Sequence, residues 1–168
     1  MLIANSTIND LNSIFNLYDA AVVFQKQVLS KQWQGFDQHL IEKEIRENRQ
    51  FKIVDKGEIA CIFAITFNDP LIWKEKDSDP SIYIHRIVTN PKFRGGSYVK
   101  EIVKWAPGYA KSLDKKFIRM DTWGDNEKLK KYYESCGFQY MGLTKMESTE
   151  GLPKHYEGLS LSLFQITV

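Results

Sequence analysis

Residues 82–106 contain three successive patterns: "IYIHRIVT" is followed by "NPKFRGGS" and then by "YVKEIVKWA". The β-branched first run predicts a strand over residues 81–89, and the last run has the apolar periodicity of a helix. A strand, a glycine-rich turn and a helix N-terminus form an arrangement that binds phosphate groups. The spacing fits neither a P-loop nor a G-x-G-x-x-G turn. The stretch therefore predicts a phosphate-binding loop of another type.

The elements around this loop predict a mixed sheet flanked by helices. The helix is expected over about residues 95–112, with an interruption at Pro107-Gly108, and a buried strand over residues 115–123 completes a right-handed β-α-β unit. The other predicted elements are helices over 9–29 and about 37–49, a hairpin at Asp55-Lys56-Gly57, a polar loop over 68–80, a short helix ending at Gly137, and strands over 140–146 and 156–166. Hairpins combined with a β-α-β unit indicate an α+β fold.

Composition predicts one globular domain over residues 1–168. The chain is 43% hydrophobic and 26% charged, and its net charge of +2 is spread too evenly to indicate nucleic-acid binding. No apolar run approaches the roughly 18 residues of a membrane span, and "MLIANSTIND" lacks the features of a secretory signal. Cys61 and Cys136 have no metal-ligand spacing and are expected to be buried free thiols, which favours a reducing cytoplasm.

Three segments, in their order and spacing, resemble the GNAT superfamily of N-acetyltransferases: "HRIVTNPKFRGGSYVKEIV", "IRMDTW" and "NEKLKKYYESCGF". The family's acyl-CoA motif is Arg/Gln-x-x-Gly-x-Gly/Ala after a strand, and its later signature runs from Asn through Tyr-Glu to Gly-Phe. The match covers residues 81–142, and the order of the flanking elements extends it over the chain. The resemblance implies a GNAT fold, with a mostly antiparallel sheet of about six or seven strands and about four helices. "QW" and "LPKHYEGL" are similar to a bacterial subgroup of unassigned substrate.

The resemblance implies acetyl-CoA as the cofactor and assigns its pyrophosphate to the glycine-rich loop. The loop residues are Arg94, Gly95, Gly96, Ser97, Tyr98 and Val99. Inward N–H groups and the helix dipole suit an anion, and the arginine adds a permanent charge. Taken alone, "RGG" favours a plain turn with a solvated arginine; the ordered context favours binding. Ser97 and Val99 stand where smaller residues are usual, and Val99 would crowd the cofactor unless it points into the sheet.

Acetyl transfer to an amine requires that the amine lose a proton, that the thioester carbonyl be polarised and that the thiolate regain a proton. The resemblance places backbone N–H groups of Ile87 and Val88 at the acetyl oxygen, on a strand splayed from its neighbour. Strand alternation predicts His85 and Tyr83 on the face of Ile87. An unperturbed imidazole has a pKa of about 6.5, which suits a base, and Tyr83 would carry the proton onward. The alternative for His85 is a satisfied histidine in a packed sheet.

The later signature supplies two further candidates. Tyr133 aligns with the signature tyrosine and is predicted to protonate the leaving thiolate and to contact the cofactor, with plain packing as the alternative. Its neighbour Tyr132 is predicted in the core. Asn126 matches a cofactor-contacting asparagine, and a helix-capping role is compatible with that contact.

The acceptor site is expected from loops 30–37, 68–80 and 148–156. Trp33, Phe36 and Trp73 are candidate walls, with packing an equal alternative. Asp121 is left undecided between orienting a neighbour and ending its strand. His39 and His155 are expected at the surface, and no metal site is predicted.

The predicted function is an N-acetyltransferase that moves acetyl from acetyl-CoA to a primary amine of a small molecule, by direct attack in a ternary complex. The expected partner is that amine, with no nucleic acid and no membrane; a homodimer is compatible with the resemblance. One alternative is a non-catalytic acyl-CoA-binding or sensor domain, suggested by Ser97, Val99 and Pro107. Another is an RNA-binding module around "KFRGG", which lacks a continuous basic face.

Overall fold

The computed structural model describes residues 1–28, 33–146 and 159–168. These residues form seven strands and five α-helices. The strands are β1 Leu2–Asn5, β2 Gln50–Asp55, β3 Glu58–Thr66, β4 Ser81–Thr89, β5 Phe117–Trp123, β6 Gln139–Lys145 and β7 Ser160–Thr167. The helices are α1 Leu11–Val28, α2 Gln38–Arg46, α3 Pro70–Trp73, α4 Tyr98–Ser112 and α5 Glu127–Ser135. None of the helices in the described part of the chain is both long and apolar enough to cross a membrane.

The strands are hydrogen-bonded in the order β1-β2-β3-β4-β5-β7-β6. The pairs β1–β2, β2–β3, β5–β7 and β6–β7 are antiparallel, and β4–β5 is parallel. This confirms the predicted α+β fold with a mixed, mostly antiparallel sheet. The chain divides into two compact units, residues 1–65 with 86–98, and residues 66–85 with 99–168. The single domain over residues 1–168 stays a prediction.

The core of the first unit lies between its two helices and its strands. Its buried members are Ile14, Leu17, Tyr18, Ile41, Ile45, Ile62 and Val88. The predicted hairpin forms because Lys56 and Gly57 take the positive φ angles, 51° and 81°, that a tight hairpin turn requires. Cys61 on β3 is fully buried, as expected, and burial raises the pKa of its thiol to about 12.

The second unit has a buried guanidinium at its centre. Arg119 of β5 is 1% exposed and donates to Gln165 at 2.8 Å and to Asp79 at 2.7 Å. Its guanidinium carbon lies 4.7 Å from the centroid of the Trp73 ring, a cation–π contact. Around it stand buried apolar side chains: Ile72, Trp73, Tyr83, Leu161 and Leu163.

The prediction of a polar loop over residues 68–80 is wrong. Helix α3 occupies Pro70–Trp73, and a 3-10 helix follows over Lys74–Ser78. Proline at the first helical position is pre-organised for a helix start, and Ile72 and Trp73 are buried at 1% and 2% exposure. Burial of these two apolar residues stabilises the helical turn. The polar residues around it made the sequence resemble a loop.

The predicted interruption of α4 is also wrong, because the helix runs unbroken through Pro107. Ala106 and Ala110 on either side of the proline are fully buried, and this packing holds the helix together despite one missing hydrogen bond. The helix starts at Tyr98, not near residue 95. Gly95 and Ser97 have φ angles of 88° and 53°, which are incompatible with a right-handed helix.

Candidate active site

Strands β4 and β5 stop pairing part of the way along their length. Their register pairs run only from Ser81↔Phe117 to Tyr83↔Arg119, although both strands continue. His85 and Asp121 each lie two residues beyond the last pair. The two strands therefore do not pair with each other at these positions. This agrees with the splayed strand that the family resemblance implied.

Arg86 interrupts the regular alternation of β4. Its φ angle is 51°, a left-handed value that few residues other than glycine adopt. Alternation of side chains consequently cannot be extended from His85 to Ile87, and the argument that placed them on one face does not hold. The Arg86 side chain donates to the Tyr18 hydroxyl at 3.2 Å and to the carboxylate of Glu44.

His85 lies between two carboxylates. Its Nε2 atom is 3.4 Å from Oδ2 of Asp69, and its Nδ1 atom is 4.0 Å from Oδ1 of Asp121. The exposed fractions of the side chains are 17% for the histidine and 8% and 5% for the two aspartates. Three separate segments thus bring their polar groups into one buried position. We call Asp69, His85 and Asp121 the carboxylate–imidazole cluster.

The two carboxylates of the cluster hold their protons unusually tightly. Burial, together with the negative charges of Asp121 and Asp77, raises the pKa of Asp69 to about 8. Burial also raises the pKa of Asp121 to about 7. Within the described residues, neither Asp69 Oδ2 nor Asp121 Oδ1 has a hydrogen-bond partner. The two aspartates can therefore exchange protons near neutral pH.

The cluster is also the group of side chains that could hold a metal ion. One ligand atom from each member can be chosen so that all lie within 4.8 Å of one another. Sequence reasoning missed Asp69, because it assigned the residue to a polar loop. The available signal was the pair Asp69-Pro70, since a residue before a helix-starting proline occupies a fixed position at the helix N-terminus.

The glycine-rich loop is held in shape by its own contacts. A Cβ atom on Gly96 would lie 2.4 Å from the ring of Tyr98, so only glycine fits there, and its N–H donates to the Phe93 carbonyl at 3.2 Å. The Tyr98 hydroxyl donates to Asp55 at 3.0 Å, which ties the loop to the end of β2. The guanidinium carbon of Arg94 lies 4.4 Å from the centroid of the Phe24 ring.

These features fit the pyrophosphate of coenzyme A. The first turn of α4 has N–H groups without intrahelical acceptors, and its dipole favours an anion. Gly95 has a φ of 88° and open space where a Cβ would stand, and Arg94 is exposed beside it. Tyr98 and Val99 are buried at 3% and 9% exposure, so Val99 does not crowd the loop. Their side chains serve packing, which leaves their backbone groups to face a ligand.

Helix α5 places the two residues of the later signature. Asn126 caps the helix, its side chain accepting from Leu129 N at 3.1 Å, which confirms the capping interpretation. Tyr133 is half-buried, with its ring centroid 5.3 Å from that of Phe164. Tyr132 is 38% exposed, so its predicted core position is wrong. The 100° step along a helix turns it to the solvent side when its neighbour packs inward.

The aromatic residues expected at the acceptor site are mostly packed. Trp33 and Phe36 stand against Tyr18, at ring-centroid distances of 6.2 and 4.8 Å, and close the core of the first unit. Trp73 and Tyr83 are buried with centroids 5.9 Å apart. Burial raises the pKa of Tyr83 to about 12. Residues 30–32 and the loop 148–156, including His155, lie outside the described residues.

Known proteins resemble this chain in sequence and in fold. A model of the acetyltransferase (GNAT) family matches residues 12–138. The Bacillus subtilis protein named uncharacterized N-acetyltransferase YesJ is 26% identical over 141 residues, which is 79% of this chain and 78% of its own. A GNAT-family acetyltransferase structure from Listeria monocytogenes is 25% identical, with a TM-score of 0.79 over 99% of this chain and 94% of that one.

A third relative shares the fold at lower identity. The yncA structure from Salmonella typhimurium, solved with its cofactor acetyl-CoA, is 13% identical, with a TM-score of 0.70 over 99% of this chain and 93% of that one. The family match identifies the chain as an acyltransferase. The chain belongs to the GNAT acetyltransferase family. Family membership, acyltransferase activity and acetyl-CoA as the cofactor are confirmed as predicted by that match.

Proposed function

We propose that this protein acetylates a primary amine of a small molecule, by direct attack in a ternary complex with acetyl-CoA, and that His85 is the base. The observation that carries the proposal is the position of His85. It lies where β4 and β5 have stopped pairing, between two buried carboxylates. These carboxylates can stabilise the positive charge that the imidazole gains when it takes a proton. A histidine that merely filled the sheet would not require two carboxylates beside it.

The binding roles follow from the loop and the strand that precedes it. Acetyl-CoA supplies the activated acetyl thioester. Arg94 and the N–H groups at the start of α4 hold its pyrophosphate, with Gly95 allowing close approach. The N–H groups of Ile87 and Val88 polarise the acetyl carbonyl. The Val88 side chain is buried in the core, so its backbone is the part available for this role. Asn126 fixes the start of α5 beside the cofactor.

Two proton transfers complete the reaction. His85 takes a proton from the acceptor nitrogen; the C–N bond then forms, the C–S bond breaks, and the phenol of Tyr133 protonates the departing sulfur. Direct attack is supported by the cysteines. Cys61 and Cys136 are buried, and the raised pKa of Cys61 keeps it a thiol, so neither is suited to carry an acetyl group. Free buried thiols also support our placement of the protein in the cytoplasm.

The test is thiol release from acetyl-CoA against amines, amino acids, polyamines, aminoglycosides and peptides. For an accepted amine, His85→Gln should lower kcat/KM by roughly 10²-fold or more and change the decline of rate toward acid pH. His39→Gln is the matched control, because the side chain of His39 is 91% exposed on α2. A variant lacking His85 that keeps the wild-type rate and pH profile would remove the assigned base. Tight acetyl-CoA binding without turnover of any amine would remove the proposed reaction.

A further inference from the structure

The geometry points to a specific role for the two carboxylates: Asp69 and Asp121 bind the ammonium group of the acceptor, so the enzyme selects alkylammonium acceptors over uncharged arylamines. The inference rests on the proposed function, since it assigns the acceptor of that reaction to the carboxylate–imidazole cluster. It adds two residues to the site and a chemical class to its substrate.

The first support is the unsatisfied state of the carboxylates. Asp69 Oδ2 and Asp121 Oδ1 belong to side chains that are 8% and 5% exposed, and neither atom has a hydrogen-bond partner in the described chain. Both are the oxygens that approach His85. A buried carboxylate oxygen without a donor is costly, and native proteins rarely keep one. A ligand that brings positively charged N–H donors would satisfy both oxygens.

The second support is the size of the cluster. Three acceptor atoms that lie within 4.8 Å of one another can surround a single donor atom. An ammonium nitrogen makes charge-assisted hydrogen bonds of about 2.7–2.9 Å in tetrahedral directions, which separates its acceptors by roughly 4.5 Å. Zinc bonds of about 2.0–2.2 Å would require the ligand atoms to stand only about 3.4 Å apart. The limit of 4.8 Å accommodates an ammonium group. The 3.4 Å separation of His85 Nε2 from Asp69 Oδ2 also accommodates zinc, so the Zn²⁺ measurement below distinguishes the two ligands.

The third support is the charge around the cluster. Asp77, in the turn after α3, accepts from the Asp69 N–H at 2.6 Å and adds a third negative charge. Arg119 of β5 donates to Asp79 and Gln165, so its positive charge is compensated by the Asp79 carboxylate and not by the cluster. Tyr83 of β4 is held neutral by burial. Binding of a cation favours the ionised carboxylates, whereas a neutral arylamine leaves their pKa values raised and gains no charge-assisted hydrogen bond from them.

The bound ammonium then becomes a nucleophile by one proton transfer. An N–H bond of the ammonium breaks and an N–H bond forms on the imidazole of His85, so the positive charge moves to the ring and the net charge of the site is unchanged. The imidazolium lies between the same two carboxylates, 3.4 and 4.0 Å from them. The amine keeps its lone pair for attack on the acetyl carbon.

The experiment uses 4-aminobenzylamine, which carries an alkylamine and an arylamine in one molecule, together with matched pairs such as benzylamine and aniline. Mass spectrometry of the products identifies the acetylated nitrogen. We expect the wild-type enzyme to acetylate the alkyl nitrogen at least 100-fold faster. Asp69→Asn and Asp121→Asn should each reduce kcat/KM for the alkylamine at least tenfold and change that for the arylamine by less than threefold. Asp114→Asn, an exposed matched control beyond α4, should retain the wild-type preference.

Three other outcomes overturn the inference. Equal losses for both amines in the Asn variants would mean that the aspartates only maintain structure. Acetylation of amines regardless of their charge would leave the proposed function standing and remove the ammonium site. Stoichiometric Zn²⁺ binding that is abolished in both Asn variants, with activity lost in a chelator, would identify a metal centre. If no amine is acetylated at all, the proposed function itself fails, which is a separate result.

Discussion

The molecule buries charge in two different ways, which Arg86 and His85 of β4 illustrate. In the first unit, Arg86 donates to the carboxylate of Glu44 and to the hydroxyl of Tyr18. Burial alone would lower the pKa of Arg86, but Tyr18 and Glu44 raise it above its ordinary value. In the second unit, Asp69 and Asp121 flank His85, and each aspartate keeps one oxygen without a hydrogen bond from the described chain.

This difference distinguishes a charged group that stabilises the fold from charged groups that serve a functional site. A buried ion pair whose hydrogen bonds are made is compensated within the fold, and it does not require a ligand. Two buried carboxylates with raised pKa values are a cost that folding alone does not explain, and such groups concentrate at functional sites. The successive residues His85 and Arg86 of β4 thus belong to two kinds of buried charge.

The largest effect should come from breaking the compensated pair. Glu44→Gln leaves the charge of Arg86 buried without its carboxylate, and we expect the free energy of unfolding to fall by about 3–5 kcal/mol. Urea denaturation followed by circular dichroism measures this loss. Glu42→Gln, on the same helix and more exposed, is the control. A loss below about 1 kcal/mol would mean that Arg86 finds another partner, and the comparison would lose its first member.

The next effect concerns Arg94, the exposed residue that we propose binds the pyrophosphate. Arg94→Ala should raise the KM for acetyl-CoA by about 10- to 100-fold, because a charge-assisted hydrogen bond contributes about 1.5–3 kcal/mol. Steady-state kinetics with varied acetyl-CoA gives the value. Lys92→Ala is the control, since Lys92 is exposed and pairs with Glu58. An unchanged KM would show that the loop binds through its backbone alone.

A smaller effect is expected from the acid. Tyr133→Phe should lower kcat by about tenfold, because a thiolate is a good leaving group and only partly requires protonation. The exposed neighbour offers the control, so Tyr132→Phe should retain the wild-type rate. Undiminished turnover of the Tyr133 variant would show that the residue does not act as the acid and only packs against Phe164.

The last prediction concerns the effect of the buried Asp121 carboxyl on the pH dependence of stability. The pKa of Asp121 is about 7 in the folded state, above its ordinary value of 3.8, so the folded protein binds this proton more tightly than the unfolded chain. That contribution to stability is complete below pH 4 and is lost as the pH rises through 7. Asp121→Asn should therefore raise the free energy of unfolding and the Tm at pH 8, because the variant has no buried carboxylate to ionise there.

The same variant should show little change in Tm at pH 4, where the wild-type carboxyl is protonated in both states. Thermal melts at both pH values, with Asp114→Asn alongside, test this dependence. A Tm difference that is equal at pH 4 and pH 8 would mean that Asp121 is not the group responsible.

Sequence alone predicted the features that depend on neighbouring residues. The phosphate loop, the hairpin at Lys56-Gly57 and the end of α5 at Gly137 follow from local backbone requirements, and Gly137 indeed has a φ of 110°. His85 was found because a family motif contains its strand. These signals are short-range, so they survive without knowledge of the packing.

The cluster around His85 was not predictable in the same way. Asp69 is 16 residues from His85 in the chain, and its burial depends on the packing of Ile72 and Trp73. The left-handed backbone at Arg86 breaks the strand period, and no local residue preference indicates it, because arginine rarely adopts this conformation. Both features arise from tertiary contacts that override local preference.

The burial of Cys61 and Cys136 has a practical consequence for the thiol-release assay. Cys61 lies inside β3 with a pKa of about 12, and Cys136 is 8% exposed, so both are shielded from disulfide reagents and the rapid colour change reports coenzyme A. Labelling of Cys61 requires β3 to open. The rate of this labelling, measured without substrate, therefore reports how often the sheet opens.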